Sequence, residues 1–356
     1  MTKVAVGAVM KQEAPYILEW VAYHKALGFE LFIADNGGTD DTTRILTALD
    51  AAGIITRIDF RFCRKGPQIP AYRAIVRLAK RMKIDIIGFL DSDEFFAPRV
   101  PITKLTPDDG AGYIASEFRK FDASQISYYW LIYGSKTDFQ DITVPVLERF
   151  SYHVTTEAKL DKKISSFKSF VKVNEMFKLS NIFFLGPQIM SPHVFDGAMR
   201  KWIIDDKRAD PYSFNPKIRE VTHHNGVILH FIIKTWEEYR SKKMRGSAIF
   251  DQSRCDDEFF ERHDLNDSFD PIGSEALSKL HSEIDTIKNA IDAFEYQEQK
   301  AGFFGSLRAR LLSIGLTKFE HRKKYKKFRR KLSKNKILIS ERLSKLLNHT
   351  SNRQKD

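Results

Sequence analysis

The chain has 356 residues, 42% hydrophobic and 12% aromatic, enough for one large or two ordinary domains, and this composition argues against global disorder. Its two cysteines, Cys63 and Cys255, are far apart, which excludes a disulfide framework and a cysteine-based zinc site and fits a reducing compartment. The net charge of +12 is uneven: residues 301–356 hold 17 Lys and Arg against 3 Asp and Glu, while the other 300 hold 41 against 43, which weakens a nucleic-acid-binding reading of the whole.

The opening run has one early lysine and is broken by Gln12 and Glu13, so it reads as a buried strand and not as a secretory signal. No segment reaches about 18 uncharged apolar residues, so no membrane-spanning helix is expected. Val4–Met10 is a strand. Ala14–Leu27 has helical spacing, with Pro15 near its start and Gly28 past its end. Glu30–Ala34 is a second strand, stopped by the turn residues Asp35-Asn36-Gly37-Gly38. Asp40 and Asp41 can cap a helix running to about Ala52, closed by Gly53. Ile54–Phe60 is a third strand, Ala71–Met82 a third helix and Ile84–Leu90 a fourth strand. Strands alternating with helices predict a mostly parallel sheet covered on both faces. From about Gly110 the pattern changes. Ile126–Tyr133, Val144–Phe150, Ser166–Val173 and Val227–Ile233 read as shorter strands, Trp236–Arg245 as a helix, and 275–296 and 305–350 as helices outside the sheet.

Open parallel sheets bind ligands outside the carboxyl ends of their strands. Three polar clusters fall at such ends: Lys11-Gln12-Glu13, Asp35-Asn36-Gly37-Gly38 and Asp91-Ser92-Asp93. Residues two apart in extended chain point the same way, so Asp91 and Asp93 can face one point, where two hard oxygen ligands suit Mg²⁺ or Mn²⁺. The alternative is a solvated strand-to-loop cap. The Asp35 cluster has the same two readings, an ordinary Asx-Gly turn or an acceptor for a base or ribose with glycines that admit a ligand.

The stretches KQEAPYILEWVAYHKALGFELFIADNGGTDDTTRIL and AYRAIVRLAKRMKIDIIGFLDSDEFF, with VLERF, KSFVKV, VILHFIIKTWEEYRSKKMRG and FFERHDLND later, resemble a family-2-like glycosyltransferase of the GT-A fold. The similarity is to the branch related to glycosyltransferase family 92 and spans roughly residues 3–270. It implies an α/β fold: a Rossmann-like nucleotide-binding mixed sheet flanked by helices over 1–270, with 1–100 the nucleotide half and 101–270 the acceptor half. Residues 271–356 would form a basic helical extension.

The resemblance further implies that Glu13 and Asp35 hold the base and ribose with Asn36 nearby, and that Asp91 contacts ribose or a metal-bound water. Asp93 would bind the Mn²⁺ or Mg²⁺ that bridges the donor diphosphate, His230 would be a third metal or phosphate contact, and Lys168 and Lys234 diphosphate partners. Glu94 would be structural. The chain departs from the family pattern at Gln12 for Asn, Gly38 for Ser, and Asp138 for the His that ends a W-x-x-F-G-S-x-G-H run.

Breaking a sugar–phosphate bond places charge on a diphosphate leaving group, which cations stabilise where water is excluded. The acceptor hydroxyl needs a general base. Glu148 is the first candidate, its alternative being an ion-pair partner for Arg149 or a lysine. Asp138, Glu117 and Asp264 follow. His230, between Leu229 and Phe231, reads from its residues as a core histidine. His223 and His224 are adjacent and would face apart on one strand. His193 is an acceptor-side candidate, and Trp130 and Trp236 are sugar-stacking or core aromatics.

Residues 303–350 mix aromatics with dense Lys and Arg, which reads as binding to an anionic membrane surface, or as a solvated helical hairpin. The expectation is a metal-dependent, inverting transferase at the cytoplasmic side of a membrane. It would move a sugar from a uridine diphosphate donor to a glycan or lipid-linked acceptor in surface polysaccharide synthesis, with no nucleic-acid partner. Two rivals stand beside it. One is a nucleotidyltransferase making an activated sugar, which would usually need a Gly-rich phosphate loop that VGAVMKQEAP lacks. The other is a noncatalytic protein acting through its basic tail.

Overall fold

The computed structural model describes residues 1–61, 66–139, 141–155, 166–175, 193–197, 199, 221, 223, 225–245 and 257–312. In chain order the strands are β1 (Val4–Met10), β2 (Glu30–Asp35), β3 (Thr56–Asp59), β4 (Ile86–Phe89), β5 (Glu94–Ala97), β6 (Gln125–Ile132), β7 (Tyr152–His153), β8 (Phe167–Lys172), β9 (Val194–Asp196), β10 (Val227–His230) and β11 (Ser268–Phe269). The helices are α1 (Ala14–Ala26), α2 (Thr42–Ala51), α3 (Gln68–Arg81), α4 (Ala111–Lys120), α5 (Val146–Arg149), α6 (Trp236–Arg245), α7 (Asp257–His263) and α8 (Ser274–Leu312).

Nine strands form one mixed sheet in the order β3-β2-β1-β4-β8-β6-β10-β5, with β9 beside β6. β3, β2, β1 and β4 run parallel. β8 is antiparallel to both β4 and β6, and β10 runs parallel to β6. The carboxyl ends of β1, β2, β4 and β10 therefore share one rim. β5 returns antiparallel against β10 at the far edge. This mixed sheet with flanking helices is the GT-A organisation the resemblance implied.

The core follows from strand alternation. Ala5 of β1 faces a cluster containing Ala71, Tyr72, Ile75 and Ala79 of α3 with Phe32, Ile87 and Phe89 of the sheet. Gly7 is required there, because a Cβ at that position would stand 2.7 Å from the Phe89 ring. α1 packs on β2 and β5 and ends at Gly28, whose φ of 78° suits glycine.

Two segments differ from expectation. Val144–Phe150 is not a strand: Pro145 precedes a single helical turn, α5, whose first amides are satisfied from elsewhere. Val146 N and Leu147 N donate to the buried Glu19 carboxylate at 2.7 and 2.8 Å, a capping partner 127 and 128 residues away that no local pattern reveals. After β4 the acids form a short connection to β5, which starts at Glu94. α4 was also not anticipated from the pattern after Gly110.

By internal contacts the chain divides into a unit of Met1–Leu46 with Ile55–Ile287, and a second of Thr47–Ile54 with Lys288–Asp356. The site described next lies in the first unit. Among the described residues no helix is long and apolar enough to cross a membrane. Most of the expected membrane-binding segment 303–350 lies outside the described residues.

Candidate active site

The loop after β1, the turn after β4, the segment after β10 and the first turns of α6 enclose a cavity of about 520 Å³. Glu13, Asp93 and Lys234 of the sequence-predicted residues line it, together with Tyr16, Glu238 and Lys242.

Asp91-Ser92-Asp93-Glu94 is a tight turn, closed by the Glu94 amide donating to the Asp91 carbonyl at 3.0 Å. Trp20 Nε1 donates to the carbonyls of Asp91 and Glu94 at 2.9 and 3.1 Å, which holds the turn on α1. Because the chain turns here, extended-chain alternation does not apply, and the two aspartates engage different cations. Lys168 Nζ lies 2.9 Å from Asp91 Oδ2 and 3.0 Å from Glu94 Oε2. Asp93 Oδ2 pairs with Lys242 Nζ at 2.5 Å. The expectation that both carboxylates face one point is thus corrected.

Glu94 is part of this network as well as a structural residue. Its Oε2 accepts the Asp91 amide at 2.7 Å. Burial pushes its pKa up to about 8 against the pull of Lys168, with the charges of Asp91 and Asp93 adding to the rise. Lys168 is itself buried, which would lower its pKa, but Asp91 and Glu94 outweigh burial and hold it charged, well above the usual lysine range. One ammonium thus serves two acids.

Asp93 is brought to His230 by strand pairing. β5 and β10 place Glu94 opposite His230, and Phe231 N donates to the Asp93 carbonyl at 2.9 Å. His230 Nε2 stands 3.7 Å from Asp93 Oδ1 and 3.9 Å from Glu94 Oε1. Burial would raise the Asp93 pKa, but Lys242, Lys234 and His230 override it and keep the carboxylate ionised far below its usual range. Burial takes the His230 pKa well below its usual value, with Asp93 opposing. Lys234 is buried in a left-handed backbone conformation (φ 58°). Its Nζ donates to the Phe231 carbonyl at 3.2 Å and sits 4.6 Å over the Tyr16 ring. Burial pulls its pKa down, with Asp93 opposing and Lys242 reinforcing the fall.

Asp35 and Asn36 sit at the end of β2 and are not part of the cavity wall. The buried Asp35 carboxylate accepts the Gly37 amide at 2.9 Å, the Thr43 hydroxyl at 3.1 Å and two nitrogens of Arg57 at 2.9 and 2.5 Å. Asn36 Nδ2 donates to the Phe60 carbonyl at 3.0 Å. Both organise the turn that supports the loop of Gln12 and Glu13, where Glu13 N donates to Thr42 Oγ1 at 2.8 Å.

The opposite wall is α6. Glu238, Ser241 and Lys242 lie at i, i+3 and i+4 and present one polar helix face to the cavity, a spacing visible in the sequence but not singled out there. Glu238 is held by Arg149 and by Tyr16 Oη, which donates to its Oε1 at 2.9 Å. Despite burial, Arg149 hydrogen bonding and charge bring the Glu238 pKa down to about 2.

Other candidates lie apart from the cavity lining. Glu148 Oε2 is paired with His281 Nε2 at 2.9 Å. Asp138 is exposed. Glu117 is on α4, and Asp264 accepts the Ser135 amide at 2.7 Å. His193 Nδ1 lies 4.0 Å from Asp122 Oδ2. His223 Nε2 bonds the Trp130 carbonyl at 2.9 Å, and His224 lies outside the described residues. Trp130 is a buried core aromatic 4.2 Å from the His230 ring, and Trp236 packs on Tyr239 and Phe260.

The donor chemistry for a divalent ion is a two-residue set. Among the described residues no three acids, histidines or cysteines gather as a metal cage. Mg²⁺-type sites, however, commonly use one or two carboxylates plus water and substrate phosphates. Asp93 Oδ1 and the buried Glu94 Oε1, which has no hydrogen-bond partner, face His230 Nε2 across gaps too long for hydrogen bonds. Asp93 and His230 therefore fit such an ion, provided Lys242 yields Asp93.

Among solved structures, TarS from S. aureus (residues 1–349) matches with TM-score 0.28 and 14% identity over 49% of this chain and 48% of that one. The same protein in complex with UDP gives 0.28 and 15% over 49% and 48%. A cytidylyltransferase from Leptospira borgpetersenii gives 0.26 and 9% over 49% and 62%. The chain thus spans about half the length of the TarS structures it matches. A search of curated proteins finds no match. The model of glycosyltransferase family 92 matches residues 6–261, which run from within β1 past α6 and include every residue of the cavity wall. On that match over most of its length, the chain belongs to glycosyltransferase family 92.

Proposed function

We propose that the chain moves a sugar from a nucleotide diphosphate donor, a uridine diphosphate sugar, to a hydroxyl of a glycan or lipid-linked acceptor. The observation that carries this reading is the meeting of Asp93, Lys234 and Lys242 in one cavity that Glu13 also lines. Two ammonium groups beside a buried carboxylate complement a diphosphate and its developing charge better than any neutral ligand.

Asp93 and His230 would hold Mn²⁺ or Mg²⁺, which when bound neutralises charge on the leaving diphosphate. Lys234 and Lys242 contribute cations on the same side. The buried Arg149–Glu238 pair, with Tyr16 bonded to Glu238, holds the helix that carries Lys242 in place. For the acceptor's proton the cavity offers Glu237, an exposed acid on its lining, whereas Glu148 is engaged by His281. Inversion at the anomeric carbon and a role in surface polysaccharide synthesis extend the same reading. So does attachment of the basic segment 303–350 to an anionic membrane.

The test is a panel of nucleotide sugars offered to purified protein with Mn²⁺ or with EDTA, followed by product analysis. Turnover of a uridine diphosphate sugar that EDTA and Asp93→Ala abolish is the expected result. Full activity in Asp93→Ala, or turnover of nucleotide and sugar phosphate only, would sink the reading.

A further inference from the structure

We infer that Lys242 is the resident cation of Asp93 in the free protein and leaves it when a divalent ion and the donor diphosphate enter together. The inference rests on the proposed function above and deepens it.

Asp93 is 5% exposed, and its Oδ2 lies 2.5 Å from Lys242 Nζ. A buried carboxylate with no adjacent cation is costly, so the free protein needs a partner there. Lys242 supplies it through Oδ2, with its Nζ also donating to the Ile232 carbonyl at 3.0 Å. Lys242 is the most exposed ammonium of the cluster: its side chain is 29% exposed and borders the cavity, whereas Lys168 and Lys234 are buried. An ammonium has no lone pair and cannot share a metal's coordination sphere. A divalent ion set between Asp93 and His230 would also repel it at close range.

The two cations therefore compete for one carboxylate. An ion arriving alone must evict Lys242 into solvent. An ion arriving with a diphosphate gives the displaced ammonium a new anion in the same cavity. Metal and nucleotide binding are coupled through this one side chain, and the coupling acts equally in both directions.

The experiment measures Mn²⁺ binding by electron paramagnetic resonance on the full chain, with and without UDP, correcting for the Mn²⁺–UDP complex in solution. In the native protein UDP should tighten Mn²⁺ roughly tenfold or more. Lys242→Met and Lys242→Gln should bind Mn²⁺ alone roughly tenfold more tightly than the native protein and lose most of the coupling, while Lys242→Arg behaves as native. Equal Mn²⁺ affinity in native protein and both neutral variants, or no coupling in the native protein, overturns the inference. The native measurement stands even if a variant fails to fold. Asp93→Asn separates the two levels: Mn²⁺ affinity unchanged by it means that Asp93 holds no metal, and the proposed site itself fails.

Discussion

Arg149 and Glu238 face each other in a two-pronged ion pair, Nη2 to Oε1 at 2.8 Å and Nη1 to Oε2 at 3.0 Å, with side chains 1% and 6% exposed. The pair joins α5 to α6, and so ties the far wall of the cavity to a segment 89 residues earlier. Arg149→Met leaves Glu238 buried without its cation and should cost about 3–5 kcal/mol in urea unfolding. Replacing both by apolar residues should cost far less, and a double-mutant cycle reads the difference.

The same pair contributes to the acid limb of stability. Glu238 has a folded pKa near 2, below its unfolded value, so the unfolded chain binds more protons between the two. Its contribution is present above the unfolded value and is lost as pH falls from about 4.5 toward 2. Unfolding of Glu238→Gln followed from pH 6 to 3 should show a shallower loss than the native protein.

Glu19 acts in the opposite direction. Burial raises its folded pKa to about 7, against the amides of Leu147 and Val146 and the charges of Arg149 and Lys234. The folded chain then binds more protons than the unfolded one between about 4.5 and 7, so stability falls as pH rises through that window, by about 1.4 kcal/mol per unit at most. Glu19→Gln should be less stable, since its amide cannot accept from both α5 amides. It should also lose that slope, which denaturant titrations at pH 5 and 7 would show.

Two departures from the family pattern touch each other. A Cβ on Gly38 would stand 2.6 Å from Gln12 Cγ and 3.1 Å from the Gln12 backbone nitrogen, so a serine at 38 needs Gln12 to move. Gly38 also has φ 149°, where side chains are strained. Gly38→Ser alone should cost about 1–3 kcal/mol by overpacking. Combined with Gln12→Ala, which removes Cγ, it should cost less than the two single changes added, by thermal or urea unfolding.

The general base can be located by rate. Glu237→Gln should lower kcat by about 10²–10⁴ with little change in KM for the donor. Glu148→Gln and Asp138→Asn should keep most of it, since neither borders the cavity. A large kcat loss confined to Glu148→Gln would return the role to that residue.

The sequence by itself determined the parallel half of the sheet. β1 through β4 and their helices follow from 2.0 and 3.6 periodicities with glycine and proline stops, which are local properties. It also determined that polar clusters end β1, β2 and β4, and therefore where a ligand would lie. The family's motifs assigned the chemistry to those clusters. The structure decided what each acid does, because that depends on partners distant in sequence. Asp91 meets Lys168 from β8, Asp93 meets Lys242 from α6, and Asp35 is spent on Arg57. His230 reaches Asp93 only because β10 pairs antiparallel with β5 across more than a hundred residues. VLERF became helical because Glu19 caps it from α1. Periodicity reports which face of an element is buried, but only packing selects which charge stands opposite it.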